Sequence, residues 1–302
     1  MKKYLFIILF YGSLAASAMS YRDGAEVTSL EEFKRYNFSY QGMKCYVIEP
    51  KKAAAGKPWV WRARFDSAKN SDFDLAMLEQ GWHVAQVSVG GLFGGAEAMK
   101  RFDSFYDYLI NQCAFSKRPL LEGLSRGGLP IFNWSIQNPK KVSCVYADNA
   151  VCDFKSWPGG KGKGKSWERG WKSIHELYGF KNEQEALEWQ HNPVDKAHVL
   201  AEHGVGVMLG LAMKDTVVPA EENGLLIEKR YNAALPAGGV KVLVLTKPDA
   251  GHHPHGFKDP SKLVQFALDA FARNNTSVKK VKSVKSVKSV KSVKKVKNLI
   301  YI

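Results

Sequence analysis

The sequence predicts an α/β fold: a mainly parallel β-sheet with helices on both faces. Short apolar segments of strand length alternate with segments whose apolar residues recur at helical spacing. A helix between successive strands favours a right-handed crossover, and therefore parallel strands covered on both faces. A glycine-rich turn that holds a serine also lies where one predicted strand passes into a helix.

The predicted elements fill one domain, residues 19–273, which is long enough to bury a full core. Strands are predicted over 59–65, 82–89, 119–123, 142–147, 205–213 and 240–246. Helices are predicted over 73–80, 96–112, 129–137, 220–234 and 261–273.

An insertion of irregular pattern, about 154–197, interrupts the alternation of strands and helices. It is rich in lysine and glycine and contains four tryptophans: Trp157, Trp167, Trp171 and Trp189. Long insertions of this kind are often functional. We interpret it as a cap over the carboxyl edge of the sheet, with a plain surface excursion as the alternative.

The first 18 residues have the pattern of an export signal. Lys2 and Lys3 precede an apolar run over 4–14, and the small residues 16–18 follow it. The run is shorter than the roughly 20 residues that span a bilayer. We therefore expect residues 1–18 to be cleaved and the protein to be secreted or periplasmic, without stable membrane insertion. An uncleaved anchor is the alternative.

The formal net charge of +15 is concentrated near the end of the chain. Residues 274–302 contain nine lysines and no acidic residue, largely in a three-residue repeat. A period of three fits neither a buried helix nor a buried strand, so this tail is predicted to be disordered low-complexity sequence. Since the tail carries more than half of the net charge, we predict no nucleic-acid partner for the folded domain.

The cysteines leave the disulfide state open. Cys45, Cys113, Cys144 and Cys152 allow three pairings, and buried free thiols are the other interpretation. No two of them have C-x-x-C spacing, so a structural zinc site is not predicted.

The segment Gly-Leu-Ser-Arg-Gly-Gly, residues 123–128, contains the pattern G-x-S-x-G between an apolar strand and a helix. The serine of such a turn has strained backbone angles, and the glycines leave space where a Cβ would clash. We therefore predict Ser125 as a nucleophile and the backbone N–H of Arg126 as a donor to a developing oxyanion.

A nucleophilic serine needs a base, and the base needs an orienting carboxylate. In this type of site the order along the chain is Ser, acid, His. Asp215 follows the strand 205–213 and is our predicted acid. Asp148, at the end of the preceding strand, is the rival acid, and an N-cap role is the other interpretation of Asp215.

Three histidines follow the last predicted strand in Gly-His-His-Pro-His-Gly, residues 251–256. We favour His252 as the base because it directly follows a glycine turn, and His255 stays the alternative. We assign His255 to the substrate pocket and His253 to a supporting role. Imidazoles also bind zinc, but two of these histidines are adjacent and acidic ligands are distant in sequence. We predict no metal and no cofactor.

The second oxyanion donor is expected in the loop after the strand 59–65, from the backbone N–H of Arg64 or Phe65, and we choose Phe65. This loop has no His-Gly-Gly, which makes the match to lipases poor.

Residues 159–166 match the phosphate-binding pattern G-x-x-x-x-G-K-S, but no strand precedes them, so no nucleotide site is predicted. Instead, we expect Lys161, Lys163 and Lys165 to form a flexible cationic flap that binds an anionic or sugar-like substrate. A solvated loop without a role is the alternative.

The segments GLSRGG, KDTVVP and GHHPHG resemble the α/β-hydrolase superfamily over about residues 40–273. KPWVWRARF and CDFKSWPGGKGKG resemble an exported bacterial subgroup of esterase-like hydrolases, often associated with polysaccharide breakdown. The resemblance implies Ser125 as nucleophile, Asp215 as acid and His252 as base. The arginine at the strand end, in place of His-Gly, departs from typical esterases and leaves the assignment of the oxyanion donors open.

The sequence therefore predicts a serine carboxylic-ester hydrolase that acts through an acyl-enzyme on a small-molecule or polysaccharide ester. An O-acetyl group or a uronate methyl ester is favoured, because the insertion offers tryptophan faces for sugar rings and lysines for carboxylates. A peptidase of the prolyl-oligopeptidase type and a binding protein on a catalytically inactive hydrolase scaffold are the alternatives.

Overall fold

The computed structural model describes residues 20–66 and 71–273. The predicted export signal, 1–18, and the lysine-rich tail, 274–302, lie outside the described residues. Within the described ranges, none of the helices combines the length and the apolar character needed to cross a membrane.

The strands in the described part of the chain form one sheet. In chain order they are β1 (Glu26–Leu30), β2 (Phe33–Tyr40), β3 (Met43–Ile48), β4 (Trp59–Ala63), β5 (His83–Val87), β6 (Leu120–Leu124), β7 (Cys144–Asp148), β8 (Gly206–Ala212) and β9 (Leu243–Lys247). Their order across the sheet is β1-β2-β3-β5-β4-β6-β7-β8-β9. Strands β4 to β9 run parallel to one another, and β1, β2 and β3 add an antiparallel edge. The predicted fold class is confirmed.

Helices lie on both faces of this sheet. They are α1 (Asp72–Glu79), α2 (Ala96–Asn111), α3 (Gly128–Gln137), α4 (Glu168–Tyr178), α5 (Glu183–Glu188), α6 (Pro193–Glu202), α7 (Gly224–Ala233) and α8 (261–273). Alternate residues of a strand point to opposite faces. Accordingly, Trp61 of β4 packs in one buried cluster with α2 and α3, and its neighbour Val60 packs in another with α1 and α8.

Two regions differ from the sequence expectation. The antiparallel strands β1 to β3 were not predicted. Strand β1 is mostly exposed and lacks an apolar alternation. The signals that could have found the other two were the alternation of Tyr36, Phe38 and Tyr40 with polar residues in β2 and the apolar residues of β3. The insertion 154–197, expected to be irregular, contains α4, α5 and the start of α6. Helix α4 is strongly amphipathic and ends at Gly179, whose φ of 73° is a conformation that glycine adopts readily.

A buried ion network connects β4, β6 and α1. The side chains of Arg62, Asp74 and Glu122 are 0%, 0% and 1% exposed. Arg62 Nη1 lies 2.7 Å from Asp74 Oδ2 and 3.1 Å from Glu122 Oε1. Arg62 and Glu122 are register partners in the parallel pair β4–β6. Burial raises the pKa of Glu122, and the positive charge of Arg62 opposes that shift.

All four cysteines are free thiols with buried side chains. Burial raises the pKa of Cys45 to about 12 and that of Cys144 to about 12. Because a thiolate is the reactive form, these thiols are inert at neutral pH. The structure therefore favours the free-thiol interpretation over a disulfide framework.

We predict that Arg62→Ala lowers the free energy of unfolding by about 3–5 kcal/mol, because it leaves two buried carboxylates without their counter-ion. Chemical denaturation measures this change. Arg101→Ala is the matched control. Arg101 forms an exposed ion pair with Glu97 at 3.1 Å and an exposed hydrogen bond to the carbonyl oxygen of Ser88 at 3.0 Å, so this variant should lower the free energy of unfolding by about 1 kcal/mol or less. Equal losses for the two variants would contradict a structural role for the network.

Candidate active site

Ser125 lies on a tight turn between β6 and α3. Its φ is 50°, in the left-handed region that non-glycine residues rarely adopt. The turn allows no side chain at two neighbouring positions. A Cβ on Gly123 would lie 2.5 Å from the carbonyl oxygen of Gly127, and one on Gly127 would lie 2.7 Å from the carbonyl oxygen of Ala63. The two glycines of the G-x-S-x-G pattern are therefore required by close backbone contacts.

A chain of hydrogen bonds joins the three residues that the sequence predicted as nucleophile, base and acid. Ser125 Oγ lies 2.9 Å from His252 Nε2, and His252 Nδ1 lies 2.7 Å from Asp215 Oδ2. The other carboxylate oxygen of Asp215 accepts hydrogen bonds from the backbone N–H groups of Val217 and Val218, at 2.8 and 2.9 Å. The side chain of Asp215 is 1% exposed, so these bonds hold it in one orientation.

A fourth residue, which the sequence analysis missed, holds the backbone of the base. Asn149 Nδ2 donates to the carbonyl oxygen of His252 at 3.0 Å, and its Oδ1 accepts from the backbone N–H of Ala212 at 2.8 Å. Asn149 has a φ of 44°, which asparagine tolerates better than most residues. Its position directly after β7 was the available signal.

The rival acid, Asp148, belongs to a different pair. Its Oδ1 lies 3.0 Å from His255 Nδ1, and both of its carboxylate oxygens accept from Lys247 Nζ, at 2.8 and 2.9 Å. Asp148 is fully buried. The ring of His255 lies 5.0 Å from that of His252 and 6.4 Å from that of Phe65, measured between centroids. His255 is therefore next to the site, with a carboxylate partner of its own.

The three histidines also come close enough to be considered as a metal site. One ligand nitrogen of each of His252, His253 and His255 lies within 4.8 Å of the others. However, Ser125 and Asp215 already engage both ring nitrogens of His252, and Asp148 engages Nδ1 of His255. Two imidazoles remain, whereas a zinc site needs three or four protein ligands. The donor set therefore does not fit a metal ion beside an intact Ser–His–Asp arrangement.

The loop after β4 lies against the serine turn. Arg64 and Phe65 both have positive φ angles, 57° and 54°. The carbonyl oxygen of Phe65 accepts hydrogen bonds from Arg62 Nε at 3.1 Å and from Gln86 Nε2 at 2.9 Å. These bonds fix the loop beside Ser125. The backbone N–H groups of Arg126 and Phe65 stay our predicted oxyanion donors.

The lysine-rich loop differs from the flexible cationic flap that the sequence suggested. Lys161 pairs with Glu183, and Lys163 Nζ lies 2.9 Å from Glu221. Both lysines therefore already have a carboxylate partner. Any selection of an anionic substrate by Lys161, Lys163 and Lys165 stays a prediction.

The same loop also wraps around Glu222. The backbone N–H of Lys163 donates to Glu222 Oε1 at 2.5 Å, and Ser156 Oγ donates to Oε2 at 2.6 Å. A Cβ on Gly162 would lie 2.3 Å from Glu222. The segment that matches the phosphate-binding pattern thus surrounds a carboxylate of its own chain.

Comparison with solved structures identifies related folds at low sequence identity. Puromycin hydrolase superposes with a TM-score of 0.57 and 17% identity over 83% of this chain and 40% of its own. Acylaminoacyl peptidase from Pyrococcus horikoshii superposes with a TM-score of 0.53 and 13% identity, over 76% of this chain and 38% of the peptidase. Acetyl xylan esterase 1 from Thermoanaerobacterium sp. JW/SL YS485 superposes with a TM-score of 0.52 and 15% identity, over 82% of this chain and 88% of the esterase.

The chain thus spans about 40% of the length of puromycin hydrolase, one of the structures that it matches. No family model and no curated protein sequence matches the chain. The strand order, the serine turn between β6 and α3 and these structural likenesses agree with one another. The chain has the α/β-hydrolase fold.

Proposed function

We propose that the protein is a serine hydrolase that cleaves carboxylic esters. The hydrogen-bonded chain Ser125–His252–Asp215 supports this proposal most strongly. In this arrangement the imidazole removes the proton of the hydroxyl, and the carboxylate orients the imidazole and stabilises its charged form. A serine held at a φ of 50° for structural reasons alone would have no need of these two partners.

The geometry supports the following sequence of steps. Ser125 Oγ attacks the ester carbonyl while His252 Nε2 accepts the hydroxyl proton, and Asp215 holds Nδ1–H. The backbone N–H groups of Arg126 and Phe65 stabilise the negative oxygen of the tetrahedral intermediate. His252 then protonates the departing alcohol, which leaves an acyl-enzyme. Water, deprotonated by the same histidine, releases the acid and restores the serine.

We further propose a carbohydrate-linked ester as the substrate, either an O-acetyl group or a uronate methyl ester. Trp167 supports this choice, because it is 37% exposed and stacks on Trp157 at a centroid distance of 5.6 Å. The exposed part of such a pair offers an apolar surface for a sugar ring. The likeness to acetyl xylan esterase 1 also supports it, because that likeness extends over 88% of the esterase.

A peptidase of the prolyl-oligopeptidase type is the second candidate. The structural likeness to puromycin hydrolase and acylaminoacyl peptidase supports this candidate, but it covers only 40% and 38% of those chains. An inactive scaffold that binds without turnover is the third candidate. The assays below separate the three. Export to a secreted or periplasmic location also stays a proposal, which depends on residues 1–18.

The first prediction concerns the three hydrogen-bonded residues. Ser125→Ala, Asp215→Asn and His252→Ala should each lower kcat for p-nitrophenyl acetate by roughly 10³-fold or more, and the losses should not multiply when combined, because the three act as a unit. Steady-state kinetics measures the loss. Circular dichroism of each variant checks that the fold is retained.

The matched controls are the rival acid and the rival base. Asp148→Asn and His255→Ala should retain most of the turnover. They should mainly lower the free energy of unfolding, because Asp148 forms buried contacts with both Lys247 and His255. Loss of turnover in His255→Ala, with turnover retained in His252→Ala, would reverse the assignment of the base.

The second prediction concerns the substrate. Acetate or methanol should be released from acetylated xylan or methyl-esterified polyuronate, and aminoacyl p-nitroanilides should be cleaved far more slowly, if at all. Release of the two small products is measured over a panel of plant and algal polysaccharides, with Ser125→Ala as the blank. Faster cleavage of the anilides would favour the peptidase, and no turnover of any ester would favour the inactive scaffold.

A further inference from the structure

Two arginines flank the nucleophile. Arg126 directly follows Ser125 in the turn, and Arg64 lies in the loop after β4 that packs on the same turn. The Cβ of Arg64 lies 3.9 Å from the position that a Cβ on Gly127 would occupy. Its guanidinium reaches the loop after β5, since Nη1 lies 3.2 Å from a Cβ placed on Gly90. Both residues are partly buried.

Neither arginine has a carboxylate partner among the residues that the structure describes. In the described ranges no aspartate or glutamate forms an ion pair with Arg64 or Arg126. The remaining residues, 1–19, 67–70 and 274–302, contain no acidic side chain at all. In addition, Nε of Arg64 is buried without a hydrogen-bond partner, although buried polar atoms are normally paired.

The guanidinium groups lie over aromatic rings instead. Arg64 Cζ is 4.8 Å from the ring centroid of Phe65. Arg126 Cζ is 5.4 Å from the ring of Trp167 and 5.9 Å from that of Phe93. Aromatic faces hold a guanidinium in place by cation–π attraction and leave its N–H edges free to donate. Arg126 therefore lies beside Trp167, the exposed tryptophan that we expect to contact a sugar ring.

Burial disfavours the charged form of both arginines, and the charge of Arg126 further disfavours that of Arg64. Burial, and then the charge of Arg126, lower the pKa of Arg64 to about 10. Burial alone lowers the pKa of Arg126. In both arginines burial disfavours the cationic form, and no carboxylate of the described residues forms an ion pair that would offset it. Groups that are perturbed in this way cluster at functional sites, and an anionic ligand between the two arginines would relieve both effects.

We propose that Arg64 and Arg126 bind a carboxylate of the substrate beside the scissile ester, so that the enzyme prefers esters that carry a free acid group close to the reacting carbonyl. This inference rests on the proposed ester hydrolysis. A uronic acid unit next to the esterified position, with its ring against Trp167, has this chemistry. Arginine recognises a carboxylate through two parallel N–H···O bonds, which also orient the substrate.

The two arginines are better placed than the lysine loop to bind the acid group of an anionic substrate. Lys161 and Lys163 are on the surface and already paired with Glu183 and Glu221. Attraction by exposed lysines is also screened by salt, whereas that of half-buried arginines is screened much less. The preference for an anionic ester should therefore persist at about 0.5 M salt.

The test compares esters that carry a free acid group with the same esters in which a methyl ester neutralises that group. Two pairs place the carboxylate on either side of the scissile bond: 4-acetoxybenzoate against its methyl ester, and mono-4-nitrophenyl succinate against its methyl ester. In at least one pair, kcat/KM should be tenfold or more higher for the free acid. The pair that shows the preference identifies whether the acid belongs to the alcohol or to the acyl part of the substrate.

The decisive measurement is the ratio of kcat/KM for the free acid to that for its methyl ester, because a general loss of activity cancels in it. Arg64→Gln and Arg126→Gln should each lower this ratio toward 1, and Arg64→Lys should retain part of it. Arg169→Gln is the matched control, since Arg169 is an exposed residue of α4, and it should leave the ratio unchanged. A ratio near 1 in the unaltered protein, or one insensitive to both glutamine variants, would overturn the proposal.

A binding experiment separates failure of this proposal from failure of the proposed function. Glucuronate should change the tryptophan fluorescence of the full chain saturably, because Trp167 lies beside Arg126, and its methyl ester should not. Arg126→Gln should abolish the change. Saturable binding without turnover of any ester would retain the carboxylate subsite and reject the hydrolase. Turnover of neutral and anionic esters at equal rates, without glucuronate binding, would retain the hydrolase and reject the subsite.

Discussion

The candidate site depends on the parallel register of β4 and β6. In this register Ala63 faces Gly123, one residue beyond the pair Arg62–Glu122. The register brings the end of β4 so close to the serine turn that a Cβ on Gly127 would lie 2.7 Å from the carbonyl oxygen of Ala63. The nucleophile and the loop expected to complete the oxyanion hole are thereby fixed by one backbone contact.

The buried charges next to this contact reinforce it. Arg62 uses its guanidinium to pair with Asp74 and Glu122 and to donate to the carbonyl oxygen of Phe65. One side chain thus links the sheet, α1 and the loop beside Ser125. Two residues later in the chain, Arg64 has no such partners. The contrast between a fully compensated arginine and an uncompensated one is the physical basis for assigning Arg64 to a ligand.

The parallel part of the fold could be predicted from the sequence because it depends on local patterns. Strands β4 to β9 are short apolar segments followed by helices or turns, and the predicted boundaries lie within about three residues of those observed. Ser125, Asp215 and His252 each follow a strand of this sheet. Because the carboxyl ends of parallel strands meet at one edge, the order of the three residues was enough to expect them together.

The other features depend on partners that are distant in sequence. The lysine loop is ordered around Glu222, about 60 residues later, and no local pattern connects the two. Asn149 contacts the carbonyl oxygen of His252, which only the folded sheet brings near. The only sequence signal of the buried network was a glutamate and an arginine within otherwise apolar strands, and it was not used. The two residues become partners only through the register of β4 against β6, which no local sequence pattern predicts.

Covalent labelling tests whether His252 and Asp215 activate Ser125 as a nucleophile. A fluorophosphonate reacts with an activated serine hydroxyl and releases fluoride, which leaves a stable phosphonyl ester. Mass spectrometry of the labelled protein should show one adduct per chain, located on the peptide that contains Ser125. The rate of labelling should fall by roughly 10³-fold in His252→Ala, which has lost the base. An adduct on another residue, or labelling of Ser125 at the same rate without His252, would contradict the account.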